Sequence, residues 1–293
     1  MSRAIAEQKT ICAIALRVNT TTNYFHKEKK MPFSAKVITT NEWGAKSAGP
    51  FDKTFPKFIV IHNTDSGNPP NNVSKGTVEG GKQYARQIQK DHMDTNGWSD
   101  SGHNFLNTTG GILLEGRHGT LDAVKQGMCV LSAHAAQQGN RLAGGNESPG
   151  IENEGNFMTF EMGQKQWDSL VELCVSLCDS CNIDPKNIRG HREFSNTDCP
   201  GEWLFSQLPR LRKEVADKLG TILEEDETLL KLGSIGKDVK ELQQKLTDKG
   251  FSPGAIDGDF GKNTRQAVIA FQRSIGLLDD GIVGTNTRKA LGL

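Results

Sequence analysis

A pattern near the end of the chain occurs twice. Asp257-Gly258-Asp259-Phe260-Gly261-Lys262-Asn263-Thr264-Arg265-Gln266-Ala267 returns 23 residues later as Asp280-Gly281-Ile282-Val283-Gly284-Thr285-Asn286-Thr287-Arg288-Lys289-Ala290. Each copy predicts a turn followed by a helix start. Asp-Gly supplies the turn, and the Asn-Thr pair supplies side-chain oxygens for exposed helix N–H groups. Upstream, Val239, Leu242, Gln243 and Leu246 have helical spacing, as do Ala267, Val268 and Phe271. Residues 234–293 therefore read as about three short helices, a unit near the lower size limit for independent folding.

The chain has 293 residues, room for about two domains at ~100–200 residues each. Lys+Arg and Asp+Glu are both 35, a balance that argues against a nucleic-acid binder, which needs a basic excess against phosphate. No apolar run approaches the ~20 residues of a bilayer span. The six cysteines are too few for a disulfide scaffold. Residues 1–30 carry six basic and two acidic groups. Their best apolar stretch, Ile11 to Leu16, runs straight into Arg17, which is not a secretory signal pattern. They are expected to form a mobile N-terminal extension. The acidic run Glu224-Glu225-Asp226-Glu227 marks residues 223–233 as a linker.

Between these segments, Lys57-Phe58-Ile59-Val60-Ile61 reads as a buried strand ending in the polar His62-Asn63-Thr64. Asn104-Phe105-Leu106 and Ile112-Leu113-Leu114 are further strand candidates. From Gln164 to Cys181, Trp167, Leu170, Val171, Cys174, Leu177, Cys178 and Cys181 fall on one face of a long helix. The fold class expected is α/β (α+β): a mixed central sheet flanked by helices over residues 31–222, plus a small C-terminal three-helix domain.

His62 ends a strand, His191 follows Ile188-Arg189-Gly190, and Cys199 lies in a loop bounded by Pro200 and Gly201. Two imidazoles and a thiolate suit zinc, and three protein ligands leave a fourth position for water. Spacing alone leaves a plainer reading open, with two ordinary polar histidines and a buried thiol. The Cys174, Cys178, Cys181 spacing also fits an iron–sulfur ligand run. Such ligands need a loop, however, and these cysteines fall on an apolar helix face, where they read as core thiols.

Ile59-Val60-Ile61-His62-Asn63-Thr64, with Gly190-His191-Arg192-Glu193 and Thr197-Asp198-Cys199-Pro200-Gly201, resembles the zinc-binding segments of type 2 N-acetylmuramoyl-L-alanine amidases. That superfamily includes the peptidoglycan recognition proteins and the phage lysozyme-type amidases. Further matches follow in the same order: Glu42-Trp43-Gly44-Ala45, His92 to Trp98, Gly102-His103-Asn104-Phe105, Glu115-Gly116-Arg117, Ser132-Ala133-His134-Ala135 and Gly150-Ile151-Glu152-Asn153-Glu154-Gly155. The resemblance covers about residues 40–212. It implies one zinc per chain, held by His62, His191 and Cys199 in a surface groove. The C-terminal repeat is similar to the peptidoglycan-binding domain 1 family through Gly236-Lys237-Asp238-Val239, Leu242-Gln243, Phe271-Gln272 and the Asp-Gly turns.

Hydrolysing an amide requires an activated water, a stabilised oxyanion and a proton for the leaving amine. Glu152 sits where the family's cytosolic muropeptide amidases carry their catalytic Glu, and Glu154, of the same strand parity, is its nearest rival. Two positions depart from the family pattern. His103 stands where phage and recognition proteins have Tyr, and Thr197 where many members have Lys. His103 serves either an oxyanion or water, or the fold; Thr197 offers one hydroxyl to an oxyanion. His134 either lines the groove or packs.

The resemblance implies a zinc-dependent hydrolase whose partner is peptidoglycan, both glycan strand and stem peptide, with no nucleic acid and no membrane span. It implies action at the cell wall, in the periplasm or outside the cell; the missing signal pattern does not fix the export route and is compatible with a phage-type or other non-Sec release. A non-catalytic peptidoglycan recognition protein is the alternative, opposed by the presence of Cys199 with both histidines. A zinc amidohydrolase of small amides is a third reading, disfavoured by the C-terminal module.

Overall fold

The computed structural model describes residues 33–223 and 229–293. The N-terminal extension 1–30 and the acidic core of the expected linker lie outside the described residues. The order is β1 (Val37–Ile38), α1 (Thr40–Trp43), β2 (Lys53–Thr54), β3 (Ile59–Asn63), α2 (Val78–Asp94), β4 (Phe105–Asn107), β5 (Leu113–Glu115), α3 (Thr120–Lys125), β6 (Cys129–Val130), β7 (Gly150–Asn153), α4 (Gln164–Cys181), β8 (Ile188–Gly190), α5 (Glu202–Ser206) and α6 (Leu208–Leu219), followed by α7 (Lys237–Asp248), α8 (Lys262–Ser274) and α9 (Thr285–Leu291). Strands β1-β5-β4-β7-β3-β8 form one mixed sheet, in which only β4 and β5 pair antiparallel; β2 and β6 form a separate antiparallel pair.

The sheet is covered on both faces, which is why its strands are apolar without interruption. On one face Ile59, Ile61, Phe105 and Ile151 pack with Trp167, Leu170 and Leu177 of α4 and Leu211 and Val215 of α6. On the other, Leu106 and Leu114 pack with Trp43 and with Tyr84 and Ala85 of α2. Helix α2 starts at Thr77, whose hydroxyl accepts from Gly80 N–H. Helix α4 has the bounds its apolar period predicts, and Cys174, Cys178 and Cys181 are buried along it, as expected of core thiols. The strands differ from the reading in their bounds: β4 runs 105–107 where 104–106 was read, β5 runs 113–115 where 112–114 was read, and β3 runs 59–63, taking in His62 and Asn63, where 57–61 was read.

Residues 230–291 build their own core around Val239, Leu242, Phe260, Val268, Phe271 and Val283. The sequence repeat is a structural repeat. Gln243 Nε2 donates to Asp257 Oδ1 at 2.9 Å, to Asp259 O at 2.9 Å and to Thr264 Oγ1 at 3.2 Å, while its Oε1 accepts from Gly258 N at 2.8 Å. Gln272 repeats every contact with Asp280, Ile282, Thr287 and Gly281. Each buried glutamine clamps an Asp-Gly turn to the next helix start. The turns need glycine, because Gly258 and Gly281 have φ of 84° and 72°.

Candidate active site

Parallel pairing fixes the site. In the β3–β7 register His62 stands opposite Glu152, so the two side chains are neighbours on one face at the carboxyl ends of adjacent strands. On the other side of β3, Ile61 stands opposite Gly190 of β8, which delivers His191 in the residue that follows. Ligand sites of open α/β sheets lie at this end of the strands. The His62 main chain is pinned from beneath: Asn153 Nδ2 donates to His62 O at 2.8 Å, and Asn107 Nδ2 to Asn153 Oδ1 at 2.9 Å.

His62, His191 and Cys199 converge, with one donor atom of each within 4.8 Å of the others. His62 Nδ1 lies 3.7 Å from Cys199 Sγ. Tetrahedral zinc with nitrogen at 2.0–2.1 Å and sulfur at 2.3 Å has such an edge of about 3.6 Å. Burial pushes the Cys199 thiol up, so a cation must displace its proton, and Asn63 N–H, 3.4 Å from Sγ, favours the thiolate.

The proton positions on His62 follow from its neighbours. His134 Nε2 faces Ser148 O at 2.9 Å, so this nitrogen carries the proton and His134 Nδ1 is the acceptor. His62 Nε2, 3.0 Å from His134 Nδ1, must then donate, and His62 Nδ1 keeps its lone pair toward Cys199. Burial holds both imidazoles well below their ordinary pKa, as neutral rings require. His134 therefore neither lines the groove nor merely packs; it fixes the tautomer of His62. Gly150 makes room for it, since a Cβ there would come within 2.4 Å of the His134 ring.

Glu152 is 4% exposed, and its Oε2 lies 2.5 Å from His103 Nε2. Burial lifts the Glu152 carboxyl to about 7, against the lowering pull of His92 and His191. Burial also holds His103 down to about 3, so it stays neutral. The Nδ1 of His103 is buried without a hydrogen-bond partner. Glu152, His103 and His62 form a second group with convergent donor atoms. Glu154, the rival of Glu152, is fully engaged elsewhere: it accepts from Ser74 N at 2.7 Å and Thr109 N at 3.0 Å, and its other close partner is the Ser74 hydroxyl. Thr197 sits on the Cys199 loop, its Oγ1 accepting from Cys199 N–H at 3.2 Å.

Sequence reading missed two contributors. His92 joins the histidine group through ring contact with His103, at 5.6 Å between centroids, and with Trp98, at 4.8 Å. Arg192 ties the His191 and Cys199 segments together, its N–H donating to Cys199 O at 3.0 Å. Its position beside His191 was the one available signal.

Both parts of the chain are similar to known proteins. The N-acetylmuramoyl-L-alanine amidase family model matches residues 52–202, and the putative peptidoglycan binding domain model matches residues 235–291. The N-acetylmuramoyl-L-alanine amidase CwlL of Bacillus licheniformis is 36% identical over 136 residues, which are 41% of this chain and 38% of that one. The chain thus spans well under half the length of this curated relative. Peptidoglycan-recognition protein SC2 of Drosophila melanogaster is 29% identical over 177 residues, 59% of this chain and 84% of that one. Among solved structures, wild-type Drosophila PGRP-LB aligns with a TM-score of 0.47 at 23% identity, covering 66% of this chain and 99% of that one. Because the first of these matches takes in just over half of the sequence and all of the histidine–thiol–carboxylate site, the chain belongs to the N-acetylmuramoyl-L-alanine amidase family.

Proposed function

We propose that this protein is a zinc-dependent peptidoglycan hydrolase that cleaves the amide between the lactyl group of N-acetylmuramic acid and L-alanine of the stem peptide. Residues 31–222 are its catalytic domain, 223–233 a linker, and 234–293 a module that holds the enzyme on the wall. The observation that carries the reading is the convergence of His62, His191 and Cys199 beside a buried Glu152–His103 pair. The donor set fits zinc in type, number and spacing, and a fourth position is left for water. Zinc held there would supply Lewis-acid activation of a water and of the substrate carbonyl.

The other steps belong to the chain's own groups. Ionised Glu152 takes the proton of the attacking water and, once protonated, returns it to the leaving amine. A carboxyl near 7 suits both halves of that task. His103, neutral and hydrogen-bonded to Glu152, orients the carboxylate. The Thr197 oxygen is occupied by Cys199 N–H, which leaves its hydroxyl proton to donate to the oxyanion. Wall polymer as substrate places the action at the cell wall, in the periplasm or outside the cell. No helix among the described residues is long and apolar enough to cross a membrane.

The test is incubation of the pure protein with intact sacculi, with the released ends identified by mass spectrometry and zinc measured per chain. New L-alanine amino termini and one zinc are expected, and both should be lost in Cys199→Ala. Binding to sacculi with no new ends would instead make this a non-catalytic recognition protein.

A further inference from the structure

Two ionic bridges run from the C-terminal module to the segment that carries His191 and Cys199. In the first, Arg265 of α8 pairs with one oxygen of Glu202, and the other oxygen lies 2.6 Å from Arg192 Nη1. Nη2 of Arg192 donates to the carbonyl of Asp198, the residue before Cys199. In the second, Asp279 Oδ1 lies 3.0 Å from Arg141 Nη2, and Arg141 Nη1 donates to the carbonyl of Arg192 at 2.7 Å.

Both bridges end on Arg192. That residue follows His191 directly, is 7% exposed, and binds Cys199 O through its own N–H. Its guanidinium lies 4.7 Å from the centroid of the Phe205 ring, which fixes its plane. The side chains of Arg141 and Asp279 are only 17% and 14% exposed, so this pair is shielded from the solvent screening that weakens surface ion pairs. A cavity of about 570 Å³ lies between the two parts, lined from one side by Phe205 and Arg212 and from the other by Leu277 and Ile282.

We propose that the C-terminal module is a working part of the metal site, with Arg265 and Asp279 as positioning residues that hold the His191–Cys199 segment in ligand geometry through Arg192. The proposal rests on His62, His191 and Cys199 being the metal ligands. Outer residues that orient ligands matter to affinity, and removing one typically costs 10–100-fold. Arg265 and Asp279 act through one further side chain, so about tenfold is expected for the pair.

The experiment uses the full chain and its variants Arg265→Ala, Asp279→Ala, the double variant and, as a control, Arg273→Ala, whose pairing with Asp279 is outermost and 73% exposed. Each metal-free protein is titrated with Zn²⁺ against a chromogenic chelator, and with Co²⁺, whose thiolate charge-transfer band reports Cys199 ligation. Hydrogen exchange of residues 191–201 is followed without metal. The double variant should bind zinc about tenfold more weakly, show a weakened cobalt–thiolate band and exchange faster over 191–201, while Arg265→Lys recovers most of the affinity and Arg273→Ala matches the parent. A parent that binds one zinc and a double variant with equal affinity, band and exchange would overturn the positioning role alone. A parent that takes up no metal would overturn the ligand assignment and this proposal with it.

Discussion

Changing Glu152 to Gln removes a charge while keeping the shape and one hydrogen bond to His103. The structure sets the size of the effect. Burial places the carboxyl at about 7, so about one-tenth is ionised at pH 6 and about nine-tenths at pH 8. If ionised Glu152 is the base, the parent's rate should rise about tenfold between those values and then level off. A bound dication would move the rise toward lower pH without changing its sign. The amide can accept no proton, so the variant should be slower by ~10²–10⁴-fold and lack the rise. The assay is the initial rate of L-alanine amino-terminus release from a soluble N-acetylmuramoyl peptide at each pH, with zinc content measured in both proteins. A variant that keeps its zinc and stays within a few-fold of the parent, or keeps the pH rise, refutes the assignment. His103→Ala would then be the variant to measure, since His103 is the other titratable group bonded at this point.

Replacing His134 with Ala deprives His62 Nε2–H of its acceptor, and zinc affinity should fall ~10–100-fold, with His134→Gln intermediate. Chelator competition measures this, and parental affinity in the Ala variant would show that the tautomer needs no such help. Acid should destabilise the metal-free fold. Burial holds His103 at about 3 and His92 and His191 at about 4, so the unfolded chain, with histidines near 6.5, binds protons first. The stability they confer is complete above pH 6.5 and is lost on acidification, roughly 4 kcal/mol for the three by pH 5.5, against roughly 2 kcal/mol gained from the raised Glu152. A urea midpoint as high at pH 5.5 as at pH 7.5 would contradict this balance. Deleting residues 223–293 should lower hydrolysis of whole walls much more than that of a soluble muropeptide, because tethering raises local concentration only on a polymer. The smaller loss on the soluble substrate reads out the ionic bridges, and equal losses would assign the module to support of the catalytic fold instead.

What sequence reading could reach here depends on how far apart the interacting residues lie along the chain. Helix α4 was legible to the residue because its apolar period repeats over 18 positions, whereas β3 was legible as a strand from its apolar run but not in its bounds, since its polar end, His62 and Asn63, reads like a turn. Strands β1, β2 and β6 have two residues each, too few to display a period at all. The C-terminal repeat was visible as letters, yet the reason for it was not. Gln243 looked like a helix-face residue, and only the structure has it reaching 14 to 21 residues ahead to clamp a turn. In the site, His62, Glu152, His191 and Cys199 were nameable from their surrounding motifs, whereas His134 and Arg192, though they stand in matched motifs too, act through hydrogen bonds and bridges whose partners no local pattern names. His134 meets His62 across 72 residues, and Asp279 meets Arg141 across 138. A buried polar group must find a partner, but one sequence does not say which. That asymmetry has a chemical consequence. The groups proposed to touch substrate and metal can be read from type and context. The groups that set their tautomer, charge and orientation become readable only once the register of β3 against β7 and β8 is known, because that register decides which polar atoms share a face.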